Sequence, residues 1–76
     1  MIVGQLHLNK WGRMELDNEE LGCGKCLSVL IYDSVDNSVK WIDTRLEHDG
    51  ENYYLIGLLG YSPVGLFGRI DSSNKI

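Results

Sequence analysis

Helical periodicity, paired histidines and a surplus of basic charge are all missing from this chain, and each absence excludes a class of function. Nowhere in the 76 residues do apolar side chains recur at helical spacing for ten or more positions, which excludes a helix bundle or coiled coil. Nine glycines against one proline agree with this, because glycine weakens helix interiors and serves tight turns between strands. Seven lysines and arginines face eleven acidic residues, a net charge of −4. Binding to a phosphate backbone relies on clustered basic side chains, so nucleic acid is disfavoured as a partner. No apolar run approaches the ~20 residues that cross a bilayer, so no membrane partner is expected. Met1-Ile2-Val3-Gly4 runs straight into an alternating pattern instead of a leader, and the expected location is cytoplasmic. Two cysteines are too few for a secreted disulfide framework.

What is present reads as short strands. The most informative stretch is Lys40-Trp41-Ile42-Asp43-Thr44-Arg45-Leu46-Glu47, followed by His48-Asp49-Gly50-Glu51-Asn52 and then Tyr53-Tyr54-Leu55-Ile56-Gly57-Leu58-Leu59. Two β-prone runs thus flank Asp-Gly, a strong hairpin signal. Pleating sends Ile42, Thr44 and Leu46 to one face and Trp41, Asp43, Arg45 and Glu47 to the other. The first set reads as core. The second displays an aromatic ring beside charged groups.

Further strands are expected from Ile2 to Asn9, Arg13 to Leu16, Cys26 to Asp33 and Leu66 to Ile70. The run Cys26 to Asp33 is apolar on both faces, as a fully buried strand would be. Asp17 to Gly24, acidic and glycine-bearing, reads as a loop, and Ser34 to Ser38 as a hairpin connection. The expected architecture is all-β: a small SH3-like barrel of five to six short antiparallel strands. One domain is expected over residues 1–70, with a polar tail over 71–76.

Candidate chemical sites are few. Cys23-Gly24-Lys25-Cys26 has the redox spacing, but it enters a strand where such motifs open a helix. A zinc site would need His7 and His48 to join both cysteines, without the paired-histidine spacing of known sites. No metal or cofactor is expected. Asp43 and Glu47 share a face, yet Arg45 between them keeps both ionised, against the raised pKa that a general acid needs. No nucleophile stands beside a histidine base, and an enzyme is not expected.

The binding candidates are Trp41, Arg45, Glu47, Tyr54, Tyr61 and Arg69, with Trp11 and Tyr53 as further aromatic surfaces. Arg45 and Arg69 could form a fork for a carboxylate or phosphate with Trp41 or Tyr54 stacking beside it. Arg45 and Glu47 could equally form an ordinary surface ion pair, reaching across to Arg69 or Glu15.

Several segments in order carry a family resemblance: Gly12-Arg13, Leu21-Gly22-Cys23-Gly24 leading to Leu27 and Val29, Trp41-Ile42 with Thr44-Arg45-Leu46-Glu47, Tyr53-Tyr54-Leu55-Ile56-Gly57, and Gly65-Leu66 with Arg69-Ile70. From Gly4 to Ile70 the chain resembles a family of short bacterial proteins classed only as a domain of unknown function. Tyr53-Tyr54-Leu55-Ile56-Gly57 stands where that family usually has Trp-Tyr-Leu-Val-Gly, and Ser34 to Ser38 lengthens a connection that is commonly shorter. The resemblance implies a small β-barrel, carried by Gram-positive bacteria and often by prophages and mobile elements, with no established activity.

The leading expectation is a non-catalytic protein-interaction module, one version being an element-encoded inhibitor of a host defence protein. The alternative is a small-ligand binder, such as a sponge for a nucleotide signal. A protein partner is expected first, a small anionic ligand second, and a homodimer is compatible with exposed edges and Val64-Gly65-Leu66-Phe67.

Overall fold

Alternation of apolar residues shapes seven strands along residues 1–71, the part that the computed structural model describes. They are β1 (Ile2–Leu8), β2 (Met14–Leu16), β3 (Glu19–Glu20), β4 (Cys26–Asp33), β5 (Ser38–His48), β6 (Tyr53–Leu55) and β7 (Phe67–Ile70). One sheet holds them in the order β3-β2-β1-β7-β4-β5-β6, and every pair is antiparallel. With the small β2–β3 hairpin set aside, the strands run first, last, second, third, fourth across the sheet. That is the order of an SH3-like barrel. The sheet curls into a half-barrel, and no helix occurs among the described residues. The fold is therefore all-β and barrel-like, as the pattern of residues indicates. Of the polar tail expected over 71–76, only Asp71 lies among the described residues.

The concave side of the curl is the core. Leu6, Met14, Leu16, Leu21, Leu27, Val29, Ile31, Leu46, Leu55 and Ile70 are buried there in one cluster, so every strand but β3 contributes. Glycine permits the tight curl at one place. Gly4 on β1 lies opposite Gly68 on β7, both on the inner side. A Cβ at Gly68 would sit 3.4 Å from Leu6 Cγ, and one at Gly4 would sit 3.4 Å from Leu16 Cδ1. Missing side chains let those leucines lie close against the strand pair.

Three features of the strands and turns, two of them departures from the sequence reading, have physical reasons. Strand pairing, not loop, occupies Glu19–Glu20, which brings the count to seven. Asp17 and Asn18 have φ of 51° and 73°, both in the left-handed region, and Leu16 pairs with Glu19 around them. Two central residues with positive φ make a type I′ hairpin turn, to which Asp and Asn are suited. The acidic composition of this segment obscured that signal.

Second, the turn carrying Asp49-Gly50 lies where the residues place it. His48 pairs with Tyr53, leaving a four-residue loop. Asp49 Oδ1 accepts the backbone N–H groups of Asn52 at 2.8 Å and Glu51 at 2.9 Å, and Gly50 supplies φ of 99°. The aspartate carboxylate organises the loop in place of a tight backbone turn.

Third, β4 is central but not buried on both faces. Leu27, Val29 and Ile31 are buried, whereas Tyr32 is 55% exposed and Leu30 only half-buried. Among the described residues, no second layer of structure covers its outer side.

Candidate functional site

The outer face of the sheet is built by the residues that alternate with the core. Register places Leu30 on β4 opposite Trp41 on β5, and Tyr32 opposite Val39. Ser28 lies opposite Asp43 on one side and Arg69 of β7 on the other, and Val3 of β1 lies opposite Arg69 in turn. Gly68 pairs with Val29, which sets Phe67 beside Leu30. Val3, Leu30, Tyr32, Val39, Trp41 and Phe67 therefore share one surface across four strands. Phe67 is 51% exposed and Val39 58%. An antiparallel sheet with one wet face normally alternates apolar with polar residues. Here the wet face is also apolar.

Charged groups frame this surface. The Arg69 guanidinium lies over the Trp41 ring, 4.3 Å from its centroid, so cation and ring cover part of each other. Ser28 Oγ donates to Asp43 Oδ1 at 2.6 Å. Farther along β5, Arg45 Nε donates to Glu47 Oε2 at 2.8 Å, and Tyr54 of β6 lies opposite Glu47. Five of the six expected binding residues, Trp41, Arg45, Glu47, Tyr54 and Arg69, thus share the outer face.

The two arginines do not form a fork. Arg69 leans toward Trp41 and Arg45 toward Glu47, in opposite directions along β5. The ion pair is made within β5 and not across to Arg69 or Glu15. Glu15 instead takes His7 Nε2 at 3.1 Å. Tyr61 stands apart from the outer face. It lies in the connection between β6 and β7, where it borders a small depression with Ile31, Lys40 and Ile42 on the core side of the sheet.

Sequence reasoning missed the apolar members of the face: Val3, Leu30, Tyr32, Val39 and Phe67. The signal was there, since Cys26 to Asp33 is apolar at every other position on both sides, but that pattern reads as burial.

Elsewhere the polar groups hold turns. A salt bridge of 2.9 Å from Lys40 Nζ and a hydrogen bond from Ser38 Oγ keep the Asp36 carboxyl below its ordinary value of 3.8. The backbone N–H groups of Asn52 and Glu51 lower the Asp49 carboxyl in the same direction. Cys23 and Cys26 are free, exposed thiols. His48 Nδ1 accepts the Gly50 N–H at 3.0 Å, and its ring meets Tyr53 edge-on at 4.7 Å. Among the described residues, no three His, Cys, Asp or Glu side chains converge as a metal-binding group, and no helix is long and apolar enough to cross a membrane.

Fold and surface together define a small all-β, barrel-like domain with an apolar, arginine-framed outer face. The chain belongs to the family described as a domain of unknown function (DUF5348), whose match spans residues 4–70. No curated protein and no solved structure matches it significantly.

Proposed function

We propose that this protein is a non-catalytic interaction module that docks a partner protein on the outer face of its sheet. The observation that carries this reading is the exposure of Val3, Tyr32, Val39 and Phe67 together with half-buried Leu30 and Trp41 on one surface. Apolar patches of ~300–600 Å² on a monomer are often functional. Trp, Tyr, Phe and Arg are also the side chains enriched where protein partners meet. Arg69 on Trp41, Ser28 with Asp43 and Arg45 with Glu47 supply a polar frame around the apolar centre.

The mobile-element setting that the family resemblance implies makes the partner a host protein, with a defence component as one version. A chain of this size would act by occupying its target. The alternative, a sponge for a small anionic ligand, draws less support. Its two arginines diverge, and the rings nearest them lie on an open sheet surface.

The test is native mass spectrometry of the purified protein, then affinity capture from its native cells with the wild type and with Phe67→Ser. A clean apo mass, and a protein retained by the wild type but lost with Phe67→Ser, is the expected result. A retained nucleotide would favour the sponge, and equal capture by both forms would overturn the docking surface.

A further inference from the structure

The loops at one end of the barrel enclose a second surface with different chemistry. The loop between β5 and β6 and the connection between β6 and β7 border a half-open cleft of about 460 Å³. Tyr53, Tyr54, Tyr61 and Pro63 give it aromatic and ring-lined walls. Asp49 and Glu51 are its charged members, and among the described residues no lysine or arginine lines it. The Asn52 and Glu51 N–H groups hold the Asp49 carboxyl below its ordinary value. On the wall formed by β6, a strand neighbour is present on one side only among the described residues.

We propose that this cleft receives an extended, cationic peptide segment of a partner protein. Three features select that occupant. Exposed Tyr61 and half-buried Tyr53 and Tyr54 take the apolar or proline side chains of an extended segment at little entropic cost. Two carboxylates, with His48 as the one imidazole and no lysine or arginine in the lining, complement lysine or arginine on the same segment and repel acidic ones. A last strand with a neighbour on one side offers main-chain groups to a chain laid beside it. Apart from Tyr54, which borders both, the site is separate from the apolar centre of the outer sheet face, so either surface can fail without the other.

The experiment is selection from a random peptide library displayed on phage, followed by synthesis of the recovered peptides. Their binding is measured by fluorescence polarisation, and their site is mapped by amide chemical shifts. The expected result is enrichment of peptides bearing lysine or arginine beside apolar residues, with shifts confined to residues 48–64 and the facing Leu8 and Gly12. Glu51→Lys should weaken them by about ten-fold or more, as loss and reversal of a facing charge does, while Asp36→Lys, the same charge change in the β4–β5 turn, leaves affinity within about two-fold. Tyr61→Ala gives a second, uncharged check and should weaken binding without altering the salt dependence. No enrichment, enrichment of acidic or uncharged peptides, or shifts centred on Trp41 and Phe67 would each overturn the proposal.

Discussion

The inner and outer faces of the β4–β5 pair are both apolar, yet only one of them is closed. On the inner face Leu27, Val29 and Leu46 are buried among side chains from β1, β2, β6 and β7. Tyr32, Val39, Trp41 and Leu30, alternating with them, meet no second layer among the described residues. Identical periodicity thus serves two purposes in the same strands. One set stabilises the fold by burial, and the other keeps apolar surface in water, where it contributes little to folding and is available to a partner. Residues of similar hydrophobicity should therefore differ sharply in what their loss does.

Replacing inner residues should have the largest effect on folding. Leu46 is fully buried, and Leu46→Ala should lower stability by about 2–5 kcal/mol, the cost of lost burial plus a cavity. Urea unfolding followed by circular dichroism measures this. On the outer face, Phe67→Ser should change the same unfolding free energy by no more than about 1 kcal/mol, while abolishing partner capture. A loss as large as that of Leu46→Ala would erase the distinction between the faces.

Arg45→Ala sharpens the comparison within the outer face. Its bond to Glu47 lies between exposed or half-exposed side chains, and such pairs contribute about 0–1 kcal/mol. The fold should stay intact by circular dichroism and partner affinity should fall. Complete loss of the folded signal would make Arg45 structural.

The smallest effect is on acid stability. The Asp36 and Asp49 carboxyls lie below their ordinary value of 3.8 in the folded protein. Each therefore contributes stability that is fully present above that value and is lost as pH falls through the lower, folded one. The Asp49-dependent movement of the Glu51 and Asn52 amide signals should have its midpoint below the ordinary carboxyl value of 3.8. Asp49→Asn should remove that acid-dependent movement.

Much of this fold was legible in the residues because strand alternation is a local signal. The bounds of β4 emerge residue for residue, and Ile42 and Leu46 fall on the core side as their spacing requires. The hairpin at Asp17 and Asn18 was hidden because charge and turn geometry use the same residues. The outer surface was only half legible. Trp41, Arg45, Glu47 and Arg69 announce themselves as polar or aromatic residues on an outward face. Leu30, Val39 and Phe67 do not, because an apolar residue in a strand signals burial unless the missing second layer is known. Tyr61, placed by a long irregular connection, has no periodicity from which its side could be read.

The most direct test compares exposure alone with exposure on the outer face. A photo-crosslinking phenylalanine analogue is placed at position 67, and separately at position 35, where Val35 is 94% exposed in the β4–β5 turn. After irradiation in native cells, a discrete covalent partner should form from position 67 and none from position 35. Equal adducts from both positions, or an adduct from position 35 only, would contradict the assignment of the outer sheet face as the docking surface.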